Sequence, residues 1–88
     1  MPPALTLLDG VRWRGTPIAG GRTQALLAVL VRHGRDGASD DRLVSEVWAR
    51  SRPANPAKAL QVVVSRARAA SAPEVVVRMP RGYRLRLS

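Results

Sequence analysis

The chain has no cysteine and no phenylalanine, a single histidine, and one lysine against fourteen arginines. Without thiols there is no disulfide framework and no thiolate metal site, and with His33 as the sole imidazole a structural zinc site is excluded on composition. Aromatic residues make up 3% of the sequence, leaving few platforms on which unpaired bases can stack, which weighs against single-stranded RNA as the ligand. The longest apolar run, Ala25 to Val31, is far short of the roughly 20 residues that span a bilayer, and no charged start followed by an apolar stretch opens the chain. A soluble, cytoplasmic protein without membrane contact is expected. At 88 residues the expectation is one domain (1–88). A chain of this size buries only roughly 60% of its unfolded surface, which leaves little material for a deep catalytic cleft. No catalytic residue, metal or cofactor is therefore assigned, and no enzymatic activity is expected.

What the sequence has in quantity is positive charge, +9 from 15 basic and 6 acidic residues. Its placement is uneven. Residues 1–49 carry six arginines against five acids, whereas residues 50–88 carry nine cations against Glu74 alone, a net of +8. A GC-rich coding sequence accounts for arginine in place of lysine but not for this asymmetry, so the C-terminal half is expected to meet a polyanion.

The pattern along the chain divides into short elements. Leu5, Leu7, Val11 and Trp13 recur at every second position, with Asp9-Gly10 and Gly15-Thr16-Pro17 as turn signals, which predicts a small antiparallel sheet. Thr23 to His33 places Leu26, Leu27, Leu30 and Val31 at helical spacing and ends at Gly34. Arg35 to Ala38 is read as a polar connector. Ser39 or Asp40 then caps a short second helix whose stripe is Leu43, Val44, Val47 and Trp48. Arg50 to Pro56, with two prolines, has to loop before Asn55 caps a third helix, Ala57 to Ala70, with Pro56 in its first turn. Val75 to Val77 and the alternating Tyr83 to Leu87, joined through Arg78-Met79-Pro80-Arg81-Gly82, predict a two-stranded hairpin with an arginine-bearing tip.

On the third helix, at 100° per residue, Leu60, Val64, Ala67 and Ser71 form one stripe with Val63 at its flank. Lys58, Gln61, Val62, Ser65, Arg66 and Ala69 fall on the opposite side, with Arg68 at the core edge. Two helices joined by a loop, the second presenting a basic polar face and followed by a basic hairpin, is the order of parts in a winged helix-turn-helix, an α+β fold with an N-terminal sheet, three helices and a C-terminal wing. A helix of this diameter fits the major groove of B-DNA. Arg66 suits the paired acceptors of guanine, Gln61 the edge of adenine and Val62 a thymine methyl, while Lys58 and Arg68 are placed for phosphates. Arg78, Arg81, Tyr83, Arg84 and Arg86 give the wing its expected contacts with the backbone or the minor groove, whose negative potential draws arginine.

The motifs Leu43-Val44-Ser45-Glu46-Val47-Trp48, Pro53-Ala54-Asn55, Ala59 through Arg68, and Gly82-Tyr83-Arg84-Leu85 together resemble the winged-helix output domain of two-component response regulators, and most closely the domain that heads Streptomyces antibiotic regulatory proteins. The similarity runs from Leu5 to Leu87. It implies a four-stranded N-terminal sheet, three helices and a C-terminal hairpin. It further implies a bacterial transcription regulator of the phosphorelay type, monomeric in isolation, whose tandem protomers bind direct repeats in double-stranded DNA. The loop Arg50 to Pro56, with Arg50, Arg52 and Asn55, is implied to touch RNA polymerase. The chain departs from the pattern at Val63, Ser65 and Ala67, where relatives carry larger groups, and at Met79, where an arginine is common. The phospho-accepting or nucleotide-binding partners of such domains are absent from these 88 residues, so the sequence is read as the output domain of a larger regulator.

The remaining polar and aromatic residues are read as structural. Trp48 is assigned to the core, and Tyr83 to packing under the wing with its hydroxyl available to a phosphate. His33 is read as a partner of its helix's C-terminal dipole, and Asp40, Asp41 and Glu46 as cap and first-turn charges. Gly20-Gly21-Arg22-Thr23 lacks the lysine and spacing of a phosphate-binding loop and is read as helix entry. The competing reading of the whole domain is a winged helix used for protein contacts, docking on RNA polymerase or on its own parent chain.

Overall fold

The computed structural model describes Gly20 to Arg86 throughout and, ahead of them, the backbone of three short strands, β1 (Leu5–Thr6), β2 (Arg12–Trp13) and β3 (Thr16–Pro17). These pair antiparallel in the order β1-β2-β3, with Leu5 opposite Trp13 and Arg12 opposite Pro17. Thr16-Pro17, expected in a turn, is thus a strand. Pro17 falls on β3, which among the described residues is an edge strand, where proline is best tolerated. The expected turn at Asp9-Gly10, the apolar positions Leu7 and Val11 and the final Leu87 lie outside the described residues.

Helix α1 (Gly21–His33) begins two residues earlier than the apolar periodicity and puts Leu26, Leu27 and Leu30 in full burial. Each such leucine contributes on the order of 2 kcal/mol of transfer free energy. A single 3₁₀ turn, Gly34–Asp36, leads into β4 (Ala38–Ser39), a strand where the sequence suggested only a connector. Helix α2 (Asp40–Val47) is capped by Ser39, whose Oγ accepts from the amide of Arg42 at 3.1 Å. Helix α3 (Pro56–Ala70) is capped by Asn55, whose Oδ1 accepts from the amide of Lys58 at 3.2 Å, with Pro56 at the first helical position, where its lack of an amide hydrogen costs nothing.

The C-terminal hairpin consists of β5 (Val76–Arg78) and β6 (Gly82–Leu85). The two strands pair antiparallel as expected, and a third strand joins them. β6 is the central strand of an antiparallel sheet ordered β4-β6-β5, with Ala38 opposite Tyr83 on one side and Arg78 opposite Tyr83 on the other. Among the described residues, then, the N-terminal sheet has three strands where the resemblance implied four, and a strand between the helices extends the wing. Two glycines make the extension possible. A Cβ on Gly82 would stand 1.9 Å from the carbonyl oxygen of Ala38, and Gly37 has φ +69° with a Cβ position 2.5 Å from the carbonyl oxygen of Tyr83.

The core joins Leu26, Leu27 and Leu30 of α1 to Leu43, Val44 and Val47 of α2, to Leu60, Val63, Val64 and Ala67 of α3, and to Val76, Tyr83 and Leu85 of the second sheet. Trp48 closes this core at the end of α2, and Arg22 stacks on its indole at 5.4 Å while donating to the carbonyl of Val47. Among the described residues, no helix is long and apolar enough to cross a membrane.

Candidate nucleic-acid interface

The face of α3 left over by the core is the one the periodicity assigned to solvent. Leu60, Val63, Val64 and Ala67 are buried, and Lys58, Gln61, Val62, Ser65 and Arg66 are all exposed. Val62, 42% exposed, is the one large hydrophobic side chain so exposed among the described residues. Part of this apolar side chain is thus left open to solvent.

Arg68 is placed differently. It is half-buried, and its Nε and Nη2 both donate to the carbonyl of Val76, at 3.2 and 2.9 Å, so that it ties the last turn of α3 to β5. Its guanidinium also lies 6.0 Å from the ring of Tyr83. The structure thus engages this side chain in fastening the helix to the wing.

In the wing, the pleat sorts the side chains. Tyr83 and Leu85 are buried on one face of β6, while Arg84 and Arg86 occupy the alternate positions, half-buried and exposed. The tip closes with the amide of Met79 donating to the carbonyl of Gly82 at 2.8 Å, and Arg81 is exposed there. Arg78 lies opposite Tyr83 and stacks on its ring at 4.8 Å. Its Nη1 donates to both carboxylate oxygens of Asp40, at 2.9 and 3.2 Å, a pairing that raises the Arg78 pKa further above its ordinary value. Asp40 was expected only as a helix-start charge. It does stand in the first turn of α2, but 38 residues separate it from Arg78, and no sequence spacing announces the contact.

Helix and wing meet in one open cleft of about 540 Å³, lined by Asp40 and Asp41 of α2, Gln61 near the start of α3, and Arg78 and Tyr83 of the wing. Next to it the connector from Trp48 to Asn55 is longer than the three- or four-residue turn of simple helix-turn-helix motifs. Arg50 and Arg52 are exposed on it and line a second, shallower cleft beside Trp48, whereas the side chain of Asn55 is engaged in capping α3.

On the far side of α2, Glu46 lies in the last turn and not, as expected, among first-turn charges. It forms an ion pair with Arg32 and meets His33 Nε2 at 3.0 Å, linking the end of α1 to the end of α2. The hydrogen bond to His33, assisted by Arg32, holds its carboxyl below the usual glutamate range. Among the described residues, no group of three or more His, Asp or Glu side chains converges as metal ligands would.

No protein-family model matches the sequence, and the comparison with curated proteins gives no match. Among solved structures, the chain is similar to EmbR from Mycobacterium tuberculosis, determined in complex with a low-affinity phosphopeptide, with 24% identity and a TM-score of 0.76. The likeness covers 99% of this chain and 26% of that one, so the chain spans about a quarter of the EmbR chain. With three helices, a small antiparallel sheet before them and a β-hairpin after them, the chain has the α+β winged helix-turn-helix fold.

Proposed function

We propose that the chain is the double-stranded DNA-binding domain of a larger bacterial transcription regulator, with α3 in the major groove and the wing on the backbone or minor groove. The observation that carries this reading is the exposure of Lys58, Gln61, Val62, Ser65 and Arg66 together on α3, beside a wing whose free cations are Arg81, Arg84 and Arg86, all in the half of the chain with a net charge of +8. Base edges in the major groove are read by such a face, and phosphates are gripped by such a wing. Protomers in tandem on direct repeats, with input from a receiver or other regulatory segment of the parent protein, follow from the family resemblance.

The reading predicts salt-dependent binding. In a fluorescence-anisotropy titration with duplex DNA, log affinity should fall linearly with log salt concentration, and Arg84→Ala should make that slope shallower by about 0.9. Affinity that does not respond to salt would sink the proposal.

A second reading has one observation in its favour. The cleft lined by Trp48, Arg50 and Arg52 is open, and its two arginines have no partner among the described hydrogen bonds and ion pairs. It suits an acidic protein surface, whether of RNA polymerase or of the parent chain. The two readings are compatible, because this cleft and the α3 face involve different residues.

A further inference from the structure

Arg78 is, with Arg68, a cation engaged by partners in its own chain. Cross-strand pairing sets it opposite Tyr83, and the pleat then puts it on the same face as Tyr83 and Leu85, away from Arg84 and Arg86. Both oxygens of Asp40 accept from its Nη1. Asp40 is itself fixed at this spot, since its backbone amide donates to the carbonyl of Arg81 at 2.8 Å. One residue of α2 therefore holds the wing turn at two points, through its amide and through its carboxylate. A phosphate that drew Arg78 away would enter a cleft that the carboxylates of Asp40 and Asp41 line, and would face their charge uncompensated.

We propose that Asp40 sets which wing cations reach the phosphates, holding Arg78 back so that the wing meets DNA through Arg81, Arg84 and Arg86 alone. A cation that binds any phosphate adds affinity for every sequence equally and so raises non-specific binding and steepens its salt dependence. Holding Arg78 in an internal pair removes one such contact while keeping its aliphatic stem and guanidinium as packing for Tyr83.

The inference rests on the DNA-binding reading, and its test separates the two. The 88-residue chain is titrated against a random-sequence duplex from 50 to 200 mM NaCl as wild type, D40N, D41N, R78Q and the double variant D40N/R78Q. Circular dichroism confirms that each is folded. D40N frees Arg78, so its salt slope should steepen by about 0.9, equivalent to roughly threefold more affinity lost across that salt range. D41N removes the same charge from the neighbouring position without freeing an arginine and should keep the wild-type slope. R78Q should also keep it, and the double variant should return to it. A slope flattened by R78Q, or left unchanged by D40N, overturns the proposal. If D40N fails to fold, R78Q decides alone, because an arginine already on a phosphate cannot be removed without a shallower slope. Failure of the wild-type chain to bind the duplex at 50 mM NaCl overturns the DNA reading and this inference with it.

Discussion

Gly82 stands where two strands cross too closely for any side chain. With a Cβ position 1.9 Å from the Ala38 carbonyl oxygen, Gly82→Ala forces β4 off β6. The expected cost is about 3 kcal/mol, at the upper end of ordinary point substitutions, read as a lower urea midpoint. Asn55 offers a milder case. Its side chain caps α3, and Asn55→Ala should cost about 1 kcal/mol by the same measurement. Arg66 is exposed in the middle of the α3 face, and its prediction concerns recognition. Arg66→Ala should weaken binding to a preferred site by about 1 to 3 kcal/mol and relax the preference at a single base pair. An equal loss on all sequences would make Arg66 a phosphate contact. The sequence announced the Asn55 cap and the exposure of Arg66, because both follow from helical geometry near the residue itself. It did not announce the crossing at Gly82, which depends on a strand more than 40 positions away.

At the scale of elements, α1 and α2 are joined at their C-terminal ends by Glu46 with Arg32 and His33. Because the folded-state pKa of Glu46 is lowered, its contribution to stability is fully present above the unfolded glutamate value, about 4.3, and is lost as pH falls through the lower folded value. Thermal unfolding followed from pH 6 downward should show a fall in midpoint beginning near pH 5, and Glu46→Gln should show a smaller fall over the same window. An identical pH profile in the variant would show that the pair contributes nothing. The three helices were legible in the sequence because each carries its own apolar stripe and cap. Strand β4 was not, since two residues provide no periodicity and Ala38–Ser39 become a strand only when β6 lies alongside. Arg68 shows the same limit on a helix. Its position at the edge of the stripe was evident, but the carbonyl of Val76 that engages it belongs to an element the helix has to pack against.

For the molecule as a whole, the near-neutral first half and strongly basic second half concentrate the field on α3 and the wing. Adding random duplex DNA to isotopically labelled protein should shift the resonances of Lys58 to Arg66 and of Arg81 to Arg86, and leave those of Arg32, His33 and Glu46 in place. Shifts confined to Arg50 and Arg52 would move the binding surface to the connector loop. The sequence alone determined the charge asymmetry, the three helices with their caps, the solvent face of α3 and the presence of a basic hairpin, because these depend on composition and on spacings of a few residues. Only the tertiary structure decided which arginines are available. Arg81 and Arg86 are exposed, Arg68 is fastened to Val76, and Arg78 is paired with Asp40. Cations of one chemistry take these different roles because partners distant in sequence are brought to some of them by packing and not to others.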